Sequence, residues 1–276
     1  MRLLTYRRQT KTHAGLLLDD QVFPLPWPDL MGAIQAGPSA ILAAAADAAS
    51  LILAEVDILA PLLRPGKIIA VGLNYLDHCR EQNLTPPARP TLFTKFTTSV
   101  LAPGQAIRWD PALTQQVDYE AELAVIIGRT ARRVPVEAAN DYVFGYTCLN
   151  DVTARDLQKG DGQWVRGKSL DTFCPLGPVV VTADELPDPH GLPIRTWVND
   201  ELRQNSNTDQ LIHTVPALIA FCSAAFTLEP GDIITTGTPG GVGLYRNPPS
   251  FLQPGDKMVV ELDGIGRLEN PVGPYL

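Results

Sequence analysis

The stretch Val117-Asp118-Tyr119-Glu120-Ala121-Glu122-Leu123-Ala124-Val125-Ile126-Ile127 decides the fold of this chain, because its side chains alternate with a period of two. Every second residue from Tyr119 to Ile127 is apolar, which predicts a β-strand, and the opposite face begins with Asp118, Glu120 and Glu122. Like charges placed this close together repel each other and raise carboxyl pKa values. The face is therefore either well solvated or a cation site, and all-oxygen ligands suit Mg²⁺, Mn²⁺ or Ca²⁺.

The composition narrows the class of protein. The 276 residues suit one large domain or one domain with a small addition, and a hydrophobic fraction of 45% is enough for a sizeable core. The formal net charge of -8 speaks against a nucleic-acid surface, which is typically basic. Four widely spaced cysteines without a C-x-x-C pair indicate reduced thiols. No signal peptide or membrane-spanning run is apparent, so we expect a cytoplasmic protein that binds neither membrane nor nucleic acid.

The first part of the chain is predicted to be a separate unit. Short strands at 3–6, 15–18 and 22–25 precede an alanine-rich helix that begins after Ser39 and runs to about residue 54. A Pro-Gly turn at 64–66 then marks a boundary, which predicts a small N-terminal domain over 1–62 and a larger domain over 63–276. Strands dominate the larger part, so a mixed, β-rich α+β architecture is favoured.

Two basic groups are candidates for chemistry. His78 and Glu81 lie three residues apart in a segment that is predicted to be helical, and a carboxylate beside a histidine raises its basicity and fixes its tautomer. The alternative is an exposed pair without a role. Lys95 lies on a predicted strand over 91–96 and faces either the solvent or the acidic site.

Three later segments also carry chemically useful groups. Asp151 follows a predicted strand over 143–149, a common position for a ligand carboxylate. Lys168 lies in a glycine-bounded segment, from which an ammonium group can donate to a developing oxyanion. The glycine-rich segment 235–243 lacks the Gly-Lys-Ser/Thr of a phosphate loop. Its glycines let the backbone approach a ligand closely, and the Thr238 hydroxyl can bind a carboxylate.

Taken together, these segments resemble the fumarylacetoacetate hydrolase family over about residues 62–276, and most closely its domain-containing-protein-2 branch. The six matching motifs occur in family order, at 71–75 with His78 and Glu81, 118–123, 145–152, 154–158, 167–173 and 236–243. The resemblance implies a β-roll catalytic domain over 63–276, a homodimer, and Mg²⁺ as the cofactor, with Mn²⁺ or Ca²⁺ as alternatives.

The resemblance also implies residue roles. The metal ligands fall on Glu120, Glu122 and Asp151, the catalytic groups on His78, Glu81 and Lys168, and the substrate contacts on Tyr75, Gln158 and Thr238. Many members carry an arginine, which helps to hold a substrate carboxylate, where this chain has Leu73. The identity of the acid therefore stays open.

The reaction that the resemblance implies is metal-dependent cleavage of a C–C bond in a β-diketo acid of the acylpyruvate or fumarylacetoacetate type. The metal polarises a carbonyl, and His78, oriented by Glu81, takes a proton from the attacking water. The alternative on the same site is decarboxylation or tautomerisation of oxaloacetate, or isomerisation of a 5-carboxymethyl-2-hydroxymuconate-type acid. A non-catalytic dimeric scaffold is a third hypothesis, against which the retained carboxylates and lysine argue. In both catalytic readings the partner is a small dicarboxylic or keto acid.

Overall fold

The computed structural model describes residues 1–275. Within that range the strands are β1 (Arg2–Arg8), β2 (Lys11–Leu18), β3 (Gln21–Pro24), β4 (Leu51–Ile52), β5 (Asp57–Leu59), β6 (Ile68–Val71), β7 (Leu92–Lys95), β8 (Val100–Leu101), β9 (Val117–Asp118), β10 (Ala121–Ile127), β11 (Val143–Asn150), β12 (Thr153–Ala154), β13 (Cys174–Thr182), β14 (Pro193–Val198), β15 (Glu201–Asn207), β16 (Ile233–Thr235), β17 (Lys257–Leu262) and β18 (Gly266–Pro271). The α-helices are α1 (Leu30–Ala36), α2 (Pro38–Ala46), α3 (Leu76–Glu81), α4 (Arg155–Gly160), α5 (Val165–Lys168) and α6 (Val215–Ala225). Short 3₁₀ turns include Val136–Tyr142 and Gly243–Tyr245.

A twelve-stranded mixed sheet forms the centre of the fold. Its order is β4-β3-β2-β1-β13-β11-β10-β16-β6-β7, with β5 paired to β1 and β8 paired to β13. A second sheet has the order β15-β14-β17-β18, and β9 pairs with β12. The predicted β-rich α+β class is therefore confirmed.

The stretch 117–127 forms β9 and β10 with a break at Tyr119 and Glu120, and β10 lies in the interior of the main sheet. From Ala121 onward the predicted alternation holds. Leu123 and Val125 pack on the side of α6 and the second sheet, whereas Ala124 and Ile126 pack on the side of α1 and α2. Both faces are buried, and each fully buried aliphatic side chain stabilises the fold by about 1.5–3 kcal/mol. The alternative of a solvated acidic face is wrong.

The helical prediction for the N-terminal part needs correction. The alanine-rich helix ends at Ala46 instead of near residue 54, and it begins at Pro38, one residue before the predicted cap. Proline is favoured at the first helical position because its missing N–H is not needed there. The short strand β4 follows at Leu51–Ile52.

The N-terminal strands continue the main sheet, since β1 pairs with β13 through Arg2↔Val181 and Leu3↔Val180. The domain boundary near residue 62 stays a prediction. In the described part of the chain, no helix has both the length and the apolar character needed to cross a membrane.

Candidate active site

Three carboxylates meet at the end of the central strands β10 and β11. The register Ala121↔Asn150 places Glu120 next to Asp151, and the Asp151 N–H donates to the Glu120 carbonyl oxygen at 2.8 Å. Glu122 lies on the same face of β10, two residues further along. One oxygen from each of the three side chains lies within 4.8 Å of the others, and all three residues are buried. The structure thus brings together the predicted metal ligands.

Three cationic side chains surround this cluster. Lys168 Nζ contacts Glu120 Oε2 at 2.6 Å and Asp151 Oδ2 at 2.7 Å. Lys95 Nζ contacts Asp151 Oδ1 at 2.6 Å, so Lys95 faces the acidic site and not the solvent. Arg155 Nη2 lies 2.7 Å from Glu120 Oε1. Among the described residues, Glu122 is the one member of the cluster without a cationic partner.

The surrounding charges and burial shift the pKa values of Glu120 and Glu122 in opposite directions. Burial raises the pKa of Glu120, but the neighbouring Lys168 and Arg155 outweigh it and lower the pKa to about 2. Burial raises the pKa of Glu122 well above its usual range, and the charges of Asp151 and Glu120 raise it further. Burial lowers the pKa of Lys168, but the contacting carboxylates of Asp151 and Glu120 outweigh it, so the pKa is raised. Glu122 therefore carries the unrelieved repulsion of the cluster.

Asp118 does not join this row, contrary to the sequence prediction. Its carboxylate accepts from Arg155 Nε at 2.9 Å and from the N–H groups of Gly243 and Leu244 at 2.7 and 2.9 Å. Because strand β9 ends before Tyr119, the side chain of Asp118 leaves the face that Glu122 occupies. Asp118 instead fixes the guanidinium that contacts Glu120.

The glycine-rich segment holds carboxylates of the protein itself. The N–H of Gly237 donates to Glu122 Oε2, and the N–H of Gly241 donates to Glu81 Oε1, each at 2.9 Å. Gly241 has a φ of 102°, and a Cβ there would collide with the carbonyl oxygen of Arg203. In the described residues these two backbone N–H groups therefore bind protein carboxylates, and the predicted close approach of the segment to a ligand stays a prediction.

His78 and Glu81 form a hydrogen-bonded pair on the short helix α3. The distance from His78 Nδ1 to Glu81 Oε2 is 2.8 Å. An ionised carboxylate only accepts, so Nδ1 carries the proton and Nε2 is left with a free lone pair. His78 is 7% exposed and lines the cavity above the carboxylates. Glu81 is not among the residues that line the cavity, and its contact with His78 is its link to the site.

A cavity of about 320 Å³ connects these groups. That volume lies within the range of about 300–1,000 Å³ that is typical of small-molecule sites. Its lining includes six predicted site residues, namely His78, Glu120, Glu122, Lys168, Gln158 and Thr238, and also Leu73, where many family members carry arginine. Among the residues that it adds are Gln82, Phe93, Arg155, Lys159, Trp164 and Tyr245.

Two of the predicted substrate contacts present hydrogen-bond donors to the cavity. Arg155 Nη1 donates to Gln158 Oε1 at 3.1 Å, and within residues 1–275 the Gln158 amide N–H groups have no hydrogen-bond acceptor. Gln204 Oε1 accepts from a backbone N–H, so its Nε2 must be the donor to Thr238 Oγ1 at 2.8 Å. The Thr238 hydroxyl proton is therefore free as well.

Tyr75 differs from the other two predicted substrate contacts. Its side chain is fully buried and does not line the cavity. Its backbone forms an isolated bridge with Leu211 and accepts from the N–H of Cys79, which fixes the start of α3. The predicted substrate contact at Tyr75 finds no support in this lining and stays a prediction.

The residues present fit a hard divalent cation. All three candidate ligands are carboxylates, which suits Mg²⁺, Mn²⁺ or Ca²⁺. Counting Asp118, four buried carboxylates face the three cations Lys95, Arg155 and Lys168. A divalent ion would relieve the repulsion at Glu122 and make the site positive, which favours an anionic substrate.

A family model described as fumarylacetoacetate (FAA) hydrolase, C-terminal, matches residues 67–273. Among curated proteins, the chain is 50% identical over 220 residues to "Oxaloacetate tautomerase fahd2, mitochondrial" from Xenopus laevis, covering 79% of this chain and 69% of that protein. It is 47% identical over 224 residues to "Oxaloacetate tautomerase YisK" from Bacillus subtilis (strain 168), covering 80% and 74%.

Solved structures resemble the whole chain. A fumarylacetoacetate hydrolase from Exiguobacterium antarcticum matches with a TM-score of 0.91 and 40% identity, over 99% of both chains. A maleylpyruvate hydrolase from Sphingobium sp. SYK-6, in complex with manganese(II) and pyruvate, matches with a TM-score of 0.84 and 34% identity, over 100% of both chains.

Proposed function

The chain belongs to the fumarylacetoacetate hydrolase family, and we propose that it interconverts the keto and enol forms of oxaloacetate or of a closely similar 2-oxo dicarboxylic acid. The observation that carries this proposal is the position of His78, whose free Nε2 shares one cavity with Glu120 and Glu122. The two curated relatives, both described as oxaloacetate tautomerases, support this choice over the hydrolase that the sequence favoured.

The residues of the chain account for the proton transfer. In tautomerisation, the C3–H bond of the substrate breaks and its electron pair forms the C2–C3 double bond. The π pair of the C2 carbonyl passes to the oxygen, which takes up a proton from the solvent. His78 Nε2 accepts the C3 proton, and Glu81 stabilises the resulting imidazolium through Nδ1–H. Two N–H groups of Lys168 are bound by Glu120 and Asp151, and the third is available to the C2 oxygen.

Glu120, Glu122 and Asp151 are the residues that hold the divalent cation in this proposal. When bound, the cation supplies a Lewis acid for the 2-oxo acid group. Gln158 and Thr238 donate hydrogen bonds to substrate oxygens from the cavity wall. We propose Mg²⁺ first, with Mn²⁺ as the alternative that a similar structure contains.

A C–C hydrolase is the second candidate. The specific observation in its favour is the likeness to the maleylpyruvate hydrolase with bound pyruvate, together with a base that can equally well take a proton from water. Tautomerisation needs only the base and an acidic C3–H, whereas hydrolysis also needs a positioned water and a second carbonyl.

The test is to add the metal-loaded protein to oxaloacetate and to follow enol absorbance and pyruvate in parallel, with free metal as the blank. The proposal expects faster keto–enol equilibration without additional pyruvate. Pyruvate formed from oxaloacetate would establish decarboxylation, and cleavage of acetylpyruvate or maleylpyruvate without an effect on oxaloacetate would establish the hydrolase.

The homodimer and the cytoplasmic location also stay proposals. Light scattering on a size-exclusion column tests the first. The named relatives are one mitochondrial and one bacterial protein, so location has to be determined by fractionation of the source cells.

A further inference from the structure

Three cationic side chains other than histidine line the cavity, and two of them already form ion pairs with carboxylates of the protein. Arg155 contacts Asp118 and Glu120, and Lys168 contacts Glu120 and Asp151. Lys159 is the third. Among residues 1–275 no ion pair or hydrogen bond engages its ammonium group, and its side chain is exposed at the mouth of the cavity.

The acidic neighbours of Lys159 on helix α4 and just after it are engaged elsewhere. Asp156 accepts from Thr114 Oγ1 at 2.6 Å and from the Leu157 N–H at 2.9 Å. Asp161 accepts from Arg166 Nε at 2.6 Å. The positive charge of Lys159 is therefore not neutralised locally, and it remains available to a ligand in the cavity.

The charged groups that line the cavity are arranged to fit a substrate with two carboxylates. Glu120 and Glu122 form a buried floor, where a divalent cation and Lys168 receive the 2-oxo acid group. Leu73 contributes an apolar patch of wall that offers nothing to an anion. Among the described residues that line the cavity, Lys159 is therefore the one cation other than histidine that is still available to a second carboxylate, and Gln158 lines the same cavity.

We infer that Lys159 binds the distal carboxylate of the substrate and so selects dicarboxylic over monocarboxylic 2-oxo acids. This inference rests on the proposed function and goes beyond it by naming the residue that sets substrate charge. Lys159 takes no part in the proton transfer, so its loss should weaken substrate binding without slowing turnover of the bound substrate.

The test compares oxaloacetate with 2-oxobutyrate, which has the same chain length and a methyl group in place of the distal carboxylate. The inference expects Lys159→Gln to raise the KM for oxaloacetate about tenfold, as for one lost charge-assisted hydrogen bond. It expects kcat and the inhibition constant of 2-oxobutyrate to stay unchanged. Lys159→Arg should keep the preference, and Lys11→Gln, at an exposed site in β2, serves as the control for loss of a surface charge.

An unchanged KM for oxaloacetate in Lys159→Gln would overturn the inference, as would an equal loss of affinity for both acids. If the wild-type protein does not tautomerise oxaloacetate, the proposed function fails separately. The same two acids are then compared by calorimetric binding to the Mn²⁺-loaded wild type and Lys159→Gln. A tenfold loss of affinity in Lys159→Gln for oxaloacetate alone still supports the role of Lys159. If Lys159→Gln and the wild type bind oxaloacetate with equal affinity, that role is refuted.

Discussion

Lys95 and Asp151 form an ion pair of 2.6 Å in which neither side chain has any exposed surface. Lys168 holds the other oxygen of the same carboxylate, so Asp151 is fixed between two ammonium groups. Lys95 is not among the residues that line the cavity of His78 and Lys168. The ion pair therefore holds Asp151 in place and offsets its charge.

Replacing Lys95 with methionine should destabilise the protein strongly. The substitution keeps the volume but leaves Asp151 with one cation fewer in a buried site, and breaking a buried pair costs about 3–5 kcal/mol. The free energy of unfolding, measured by urea titration of metal-free protein, checks this. Lys257→Met is the matched control, since Lys257 pairs with Glu269 at the surface, where both side chains are exposed, and such pairs contribute about 1 kcal/mol or less. Equal losses in the two variants would contradict the assignment.

Glu122→Gln should stabilise the metal-free protein. A carboxyl group whose pKa is raised on folding costs stability at every pH above its unfolded pKa, and burial and two neighbouring carboxylates raise that of Glu122. The amide removes this cost while its oxygen still accepts from Thr235 and Gly237. We expect a gain of about 1 kcal/mol in the free energy of unfolding.

The same variant should lose the metal. Calorimetric titration with Mn²⁺ should show affinity that is weaker by at least about 100-fold, because a direct carboxylate ligand is gone. Glu137→Gln, at an exposed position in the 3₁₀ turn Val136–Tyr142, controls for the loss of one negative charge. Unchanged Mn²⁺ affinity in Glu122→Gln would remove Glu122 from the ligand set.

Removing divalent metal should lower the melting temperature of the wild type. A ligand that binds only the folded state at 100 times its Kd adds about 2.7 kcal/mol. Thermal unfolding scans with EDTA and with increasing concentrations of Mg²⁺, Mn²⁺ or Ca²⁺ therefore rank the ions. The melting temperature should rise with the metal concentration. Glu122→Gln should melt at the same temperature with and without metal. Equal metal responses in both proteins would place the ion somewhere else.

The alternation in 117–127 was sufficient to predict the strand from Ala121 onward and to place Glu120 and Glu122 side by side, because a period of two determines which side chains share a face. The metal-ligand roles of these carboxylates came from the family resemblance and stay predictions. It was not sufficient to predict burial. The opposite face is apolar from Ala124 onward, and only the tertiary packing of α1 and α2 against it shows that the acidic end is buried too.

The cations of the site were harder to predict than its acids. The sequence did not determine whether Lys95 faces the solvent or the acidic site, because one lysine on an alternating strand is compatible with both. Arg155 and the backbone donors of Gly237 and Gly241 were missed, since their partners lie more than 30 residues away along the chain. An excess of carboxylates predicts such partners only once those carboxylates are known to be buried, and the sequence did not show that.

Gly241→Ala should impair catalysis more than stability or metal binding. A φ of 102° and the carbonyl of Arg203 leave no room for a Cβ, so the N–H of Gly241 must shift away from Glu81. Gly255 has a φ of 98° in open space, so Gly255→Ala carries the same backbone strain of about 1–3 kcal/mol without the collision. We expect kcat to fall in Gly241→Ala only. A similar fall in both variants would mean that strain alone is responsible.

His78→Gln should separate catalysis from metal binding. The amide cannot accept the substrate proton, and loss of a general base typically lowers kcat by about 10²–10⁴-fold. Glu81→Gln should have a smaller effect, because the imidazole remains and loses only its charged partner at 2.8 Å. The Mn²⁺ affinity of both variants, measured by calorimetry, should equal that of the wild type, since neither residue belongs to the carboxylate cluster. If His78→Gln also lost the metal, His78 would be a ligand, and the general base would have to be sought among the other groups that line the cavity.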